Sequence, residues 1–281
     1  MTSDQFRSWD NKAITLMGMS GVGKTTLGSK LPADSWYHYS GDYRLGTRYM
    51  DEAILDNIKL EAMKIPFLAE LLKSDSIYIC HNITAHNLNP ISTYLGKIGN
   101  PEAGGLPVEE FKARQSLHMV AEIAAMFDVD IFLRKARDVY GYSHFVNDAG
   151  GSLCELDRPD LYEMLAEKTL IVYLKASHDM LEDLQERARR RPKPMYYRPE
   201  FLDENLAVYL AENQLQSSDE IAPDDFVRWI FPRLVAYRLP RYDAIAEQYG
   251  VTIEAKQIQG LKDESEVIEL ICDALDRKHA T

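Results

Sequence analysis

The chain has 281 residues, 46% of them apolar and 27% charged, which is enough for one large α/β domain or two small ones around a sizeable core. Its formal net charge of −12, from 32 basic and 44 acidic residues, disfavours a general nucleic-acid binder but leaves room for a local basic patch around an anionic substrate. Three widely spaced cysteines (Cys80, Cys154 and Cys272) argue against a disulfide framework, and no apolar run is long enough to span a bilayer.

Met1 to Asn11 is polar and reads as a loosely held lead-in without a secretory leader, so a cytoplasmic protein is expected. Ala13 to Met17 is a short apolar run that suits a buried strand. It leads directly into Gly18-Met19-Ser20-Gly21-Val22-Gly23-Lys24-Thr25, which fits G-x-x-x-x-G-K-[ST] at every fixed position. Thr26 to Leu31 then opens a helix before Pro32. The motif requires this context of strand, glycine-rich turn and helix start. Successive N–H groups of such a turn form an anion nest, reinforced by the positive end of the following helix. Gly18, Ser20, Gly21, Val22, Gly23, Lys24, Thr25 and Thr26 are therefore the expected nucleotide-binding residues. Lys24 is placed on the β- and γ-phosphates of ATP, and the Thr25 hydroxyl on Mg²⁺.

Trp36 to Ser40 is the expected second strand, ended by Gly41, with Asp42 and Arg44 at its carboxyl end, where open α/β sheets bind ligands. The segment His38-Tyr39-Ser40-Gly41-Asp42-Tyr43-Arg44 resembles the one after the phosphate loop in adenylate kinases and related nucleoside monophosphate kinases. Shikimate and gluconate kinases carry a substrate aspartate at a similar place. The resemblance implies that Asp42 faces the phosphoryl acceptor or the Mg²⁺ shell, and that Arg44 or Arg48 grips an anionic substrate group. The alternative is an ordinary turn with a surface salt bridge.

Helical spacing of Ile54, Leu55, Ile58, Ala62 and Ile65 predicts a helix interrupted at Pro66 and resumed from Phe67 to Leu72. Ser76 to Cys80 reads as a strand leading into a polar loop, where Cys80, His81 and His86 match no zinc spacing. Asn89 to Pro107, rich in proline and glycine, reads as a long surface excursion or mobile flap. Glu109 to Phe127 is helical, followed by a basic cluster of Arg134, Lys135 and Arg137.

Tyr142 to Asp148 is the next strand, closing on Ala149-Gly150-Gly151-Ser152. A strand ending in aspartate before small residues has the shape of a Walker B element. The position also resembles the glycine-rich turn after the third strand of shikimate kinases, which implies close approach of the acceptor at Gly150 and Gly151. Asp148 is the second candidate carboxylate, either for a Mg²⁺-bound water or for the attacking hydroxyl; the alternative is a strand-end aspartate capping a turn. Asp157 is a plausible N-cap for the following helix, and Thr169 to Leu174 is the clearest buried strand. A helix from His178 then ends in Arg187-Ala188-Arg189-Arg190-Arg191-Pro192. This run resembles the arginine-rich lid of small-molecule kinases, implying a catalytic role for Arg187 and Arg191; the alternative is a basic helix end complementing its own dipole. Further helices start at Pro199 and Pro223, the latter bent or broken at Pro232, with a separate helix from Tyr242 to Tyr249 ended by Gly250. Val251 to Ala255 is a last strand and Glu264 to Arg277 a closing helix.

Alternation of strands and helices predicts a three-layer P-loop α/β sandwich with a mostly parallel sheet, as one domain with insertions near residues 49–75, 81–140 and 199–240 on the substrate side. The resemblance implies a P-loop kinase that uses ATP and Mg²⁺ to phosphorylate a hydroxyl or phosphate of a small molecule, with Lys24, Asp42, Asp148, Arg187 and Arg191 as catalytic residues. Two alternatives are a nucleotide-dependent regulatory ATPase and a kinase acting on a modified base in a polynucleotide. The acceptor and the oligomeric state are left open.

Overall fold

The computed structural model describes residues 1–280. The chain forms two compact units: Met1–Gly41, Ala125–Pro192 and Arg228–Thr281 make the first, and Asp42–Ala124 with Lys193–Val227 the second.

The first unit is built on five parallel strands: β1 (Ala13–Met17), β2 (Trp36–Ser40), β3 (His144–Asp148), β4 (Leu170–Lys175) and β5 (Gly250–Glu254). Their order in the sheet is β2-β3-β1-β4-β5. Every residue of β1 is buried, as are the first five of β4, so both faces of the sheet centre are covered. That is the state in which parallel strands read as continuous apolar runs. One polar line crosses this core: Asn147 Nδ2 donates to Thr15 Oγ1 at 3.2 Å, and the Thr15 and Thr169 hydroxyls share a hydrogen bond of 2.8 Å. The Asn147 side-chain oxygen, buried in the same line, has no hydrogen-bond partner among the described residues.

Helices α1 (Ser3–Arg7) and α2 (Lys24–Gly28) belong to this unit. The expected loose lead-in is in fact docked. Thr2 and Gln5 form a capping box, Phe6 is fully buried, and Ser3 and Arg7 bind Asp276 and Glu269 at 2.5 Å each. One apolar anchor and two long-range polar contacts hold a segment whose composition alone reads as free.

The second unit holds α3 (Gly41–Arg44, which begins at the unit boundary), a π turn over Leu45–Tyr49, α4 (Asp51–Met63), α5 (Pro66–Lys73) and α6 (Asn89–Leu95). Gly41 thus opens a helix directly after the strand that it was expected to end. Ser76 to Cys80 does not become a strand. Asp75 turns the chain at φ 51°, Tyr78 is 86% exposed, and no ladder forms there among the described residues. Residues 89–107 are not a surface excursion either, because Ile91, Leu95 and Ile98 are buried and the Asn100 amide bonds to the Ile221 carbonyl at 2.9 Å.

Helix α7 (Val108–Asp138) runs 31 residues, well past the expected Phe127. Arg134 and Arg137 ride on its last turns and pair with Asp130 and Asp138. Helices α8 (Pro159–Lys168), α9 (His178–Arg190), α10 (Pro199–Glu212), α11 (Pro223–Tyr249) and α12 (Glu264–Ala280) complete the chain. Asp157 is not the N-cap of α8; that position is Arg158, and Asp157 takes φ 50° one residue earlier. Helix α11 is unbroken for 27 residues despite Pro232 and Pro240, and absorbs the separate helix expected from Tyr242. Burial of Ile230, Leu234, Val235, Tyr242, Ile245 and Ala246 offsets the hydrogen bonds that the two prolines remove.

His144 begins β3 with its ring 4.8 Å from that of Trp36, and its Nδ1 accepts the Lys12 amide at 3.1 Å. Burial, and then the Lys12 charge, hold its pKa below the ordinary 6.5. A histidine with a depressed folded pKa contributes stability that is present above the unfolded value and lost as pH falls below it. Chemical denaturation at pH 7 and pH 5 is therefore expected to show a smaller loss for His144→Asn than for the wild type, and equal losses would remove His144 from that role.

Candidate active site

The phosphate loop occupies the carboxyl end of β1. Gly18 must lack a side chain, since a Cβ there would lie 2.8 Å from the Leu174 carbonyl oxygen of the neighbouring strand. Gly23 caps α2 at φ 105°, in the left-handed region that favours glycine. Among the described residues, the amides of Gly21, Gly23 and Thr25 have no backbone acceptor. Ser20, Gly21, Thr25 and Thr26 are exposed on the rim, while Val22 is buried beneath them. Lys24 is 8% exposed, and its ammonium donates to the carbonyls of Gly18 at 2.8 Å and Met19 at 3.2 Å, across the loop that it belongs to. An anion entering the nest would find amides without a backbone acceptor and a pre-placed positive charge.

Asp148 ends β3, beside β1 in the sheet, and the register sets it opposite Leu16. Its Oδ2 accepts the Thr25 hydroxyl at 2.6 Å. The two residues assigned to Mg²⁺ from separate motifs, 123 positions apart, therefore meet at the mouth of the loop. The fold is a P-loop α/β sandwich. A hydroxyl and a carboxylate in contact beside a phosphate nest form a hard-oxygen donor pair of the kind that Mg²⁺ takes together with phosphate oxygens and water. The residues fit the ion and the nucleotide phosphates.

After Asp148 the chain turns through Ala149, Gly150 and Gly151. A Cβ on Gly151 would stand 3.1 Å from the Ser20 amide nitrogen, so this turn lies against the loop itself. From α9, Leu184 and Arg187 cover Gly21: a Cβ on Gly21 would lie 3.1 Å from Leu184 Cδ2 and 3.7 Å from both Arg187 Nη atoms. Arg191 follows the last helical residue and is exposed, its amide bonded to the Arg187 carbonyl at 2.9 Å. After β5, Ile258 lies 3.6 Å from the corresponding position on Gly23.

The remaining sequence candidates lie in the second unit. Asp42 is half-buried in α3, Arg44 stands over the Tyr49 ring at 5.7 Å, and Arg48 is exposed on the π turn. In that unit His81 Nε2 meets Asp51 Oδ1 at 2.6 Å.

Sequence reasoning missed what stands behind the Gly150–Gly151 turn. The Tyr242 hydroxyl donates to the Gly151 carbonyl at 2.5 Å. Arg238, 6% exposed, donates through Nε to Oε1 of Glu155, itself 1% exposed, at 2.5 Å. Burial is the largest single influence and lowers the Arg238 pKa, but Glu155, Tyr242 and Cys154 together outweigh it and raise the value above the ordinary one. Burial pushes the Tyr242 phenol well above its ordinary 10.0, so it remains a donor. The available signal was the i, i+4 spacing of Arg238 and Tyr242, which places both on one helix face.

No family model and no curated protein matches the chain. Among solved structures it is similar to a shikimate kinase from Bacteroides thetaiotaomicron, with a TM-score of 0.41 and 16% identity over 95% of this chain and 98% of that one. No helix among the described residues is long and apolar enough to cross a membrane.

Proposed function

We propose that the protein is a P-loop phosphotransferase that moves the γ-phosphoryl group of ATP to a hydroxyl or phosphate of a small molecule. The observation that carries this reading is the 2.6 Å contact between Thr25 and Asp148 at the mouth of the phosphate loop. Bound Mg²⁺ would neutralise phosphate charge, and Thr25 and Asp148 are the residues that would hold it. Lys24 and the loop amides bind and orient the phosphates. Arg187, carried in cis over Gly21 by α9, supplies positive charge to the same face, which favours a kinase over a switch protein that awaits a partner's arginine. Arg191 is a second lid candidate on the same segment. In this reading Gly150 and Gly151 of the first unit, and Asp42, Arg44 and Arg48 of the second, are each candidate acceptor-binding residues. The setting is cytoplasmic and the acceptor is a soluble metabolite, nucleoside or nucleotide.

The deciding experiment is ATP consumption by the pure protein with Mg²⁺, alone and against a panel of nucleosides, nucleotides and hydroxylated metabolites, with products weighed by mass spectrometry. A panel member that gains one phosphoryl group supports the reading and names the acceptor class. ADP formation that ignores every acceptor overturns it in favour of a regulatory ATPase. Asp148→Asn keeps the shape of the side chain and removes its charge. Turnover is expected to fall about 10²–10³-fold, with the Mg²⁺ concentration for half-maximal rate rising. An unchanged Mg²⁺ dependence would take Asp148 out of the metal site.

A further inference from the structure

The turn after β3 is held from behind by one helix at two points. Tyr242 of α11 donates to the Gly151 carbonyl at 2.5 Å. One helical turn earlier, Arg238 donates to Glu155 through both Nε and Nη2. Side chains at i and i+4 share a helix face, so a single rigid element grips residues 151 and 155 together. The Tyr242 ring is itself fixed, stacked at 5.2 Å and 15° on Tyr173 of β4. In front, the same turn meets the phosphate loop, with the Gly151 Cβ position 3.1 Å from the Ser20 nitrogen and 3.4 Å from the Ser20 Cβ. Asp148 lies three residues upstream of Gly151, bonded to Thr25. A continuous path therefore runs from the interior of α11, through Gly151, to both sides of the metal and phosphate site.

We infer that Tyr242 is a positioning residue which, through the Gly151 carbonyl, sets the spacing between the Asp148 turn and the Ser20–Thr25 loop, so that Thr25 and Asp148 engage a divalent cation together with bound nucleotide. This rests on the nucleotide-binding reading above. The role calls for tyrosine. Its ring belongs to the core, and its hydroxyl reaches the carbonyl of the very glycine, Gly151, that lies against the Ser20 backbone nitrogen. A residue present only for packing would act through the ring alone.

Tyr242→Phe separates the two roles, since it keeps the ring stack and deletes the hydroxyl's hydrogen bonds, to the Gly151 carbonyl and to the Cys154 side chain. Gly151→Ala reaches the same spacing from the other side, by placing a methyl 3.1 Å from the Ser20 nitrogen. Binding of ATP to the full chain would be measured by calorimetry in EDTA and in saturating Mg²⁺, and the ratio of the two dissociation constants compared. Tyr242→Phe is expected to bind ATP in EDTA as the wild type does and to lose about three- to tenfold of the Mg²⁺ enhancement, the size of one hydrogen bond. Gly151→Ala is expected to lose enhancement as well. An undiminished ratio in a folded Tyr242→Phe overturns the inference, whatever Gly151→Ala shows, while leaving the nucleotide site standing. Failure of the wild type to bind ATP at all overturns the nucleotide reading, and this inference with it. If Tyr242→Phe does not fold, Gly151→Ala decides alone, and a wild-type ratio there counts against the proposal.

Discussion

Replacement of Lys24 by alanine is expected to abolish phosphoryl transfer, lowering turnover by at least about 10²–10³-fold, while the protein keeps its fold. The reasoning starts from where the ammonium sits. Lys24 is almost fully buried and donates to the carbonyls of Gly18 and Met19, so its charge is held inside the loop before any ligand arrives. Charge placed in advance costs no reorganisation when negative charge shifts on the phosphates, and it acts where water is largely excluded. The loop is also held by its own backbone, with the Val22 amide on the Met19 carbonyl and the Leu27 amide on the Gly23 carbonyl, and the substitution leaves these bonds in place. Thermal unfolding should therefore shift little. The pair of measurements, turnover and melting temperature on the same preparation, checks the assignment. Normal turnover would sink the site; a collapsed melting temperature would mean that the lysine chiefly holds the loop together.

How far the site could be read in advance depended on whether its parts are local in the chain. The loop was fully legible because its eight residues carry their own geometry: glycines where a Cβ would meet Leu174 or where φ is positive, then a lysine and a threonine opening a helix. Asp148 was legible as a strand end, and the parallel register of β3 on β1 turned that local guess into a contact with Thr25. The fold class followed from the same logic, since β1 and β4 are buried on both faces and read as continuous apolar runs. Errors arose where long-range packing overruled local pattern. Ser76 to Cys80 alternates like a strand but meets no partner among the described residues. Pro232 signals a bend or break, and Tyr242 a separate helix, yet α11 runs on through both with a buried face. Arg238, Glu155 and Tyr242 were invisible for the same reason. An arginine reads as surface until a carboxylate 83 positions away in sequence is found buried against it. The Asp42, Arg44 and Arg48 assignments rest on resemblance, and mutation of each against an identified acceptor is their proper test.

Arg187 is expected to matter to the rate far more than to nucleotide affinity. Arg187→Ala should lower kcat by about 10³-fold, within the range of arginines that stabilise phosphoryl-transfer transition states, and change the dissociation constant of ATP by much less. Its guanidinium stands beside Gly21, at the rim of the phosphate nest, and is carried by a 13-residue helix whose Leu184 is buried against the same glycine. That anchoring gives Arg187 a fixed reach, whereas its neighbours Arg189 and Arg190 are engaged with Glu186. A charge placed at the β,γ-bridging region gains most when bond breaking moves negative charge there, which is why its removal should appear in kcat rather than in binding. Comparison with Arg191→Ala under the same conditions resolves which arginine of the segment acts. A larger kcat loss at Arg191 would shift the lid role one turn along the chain. Losses confined to ATP affinity in both variants would leave these arginines as a basic helix end that attracts nucleotide and takes no part in the chemical step.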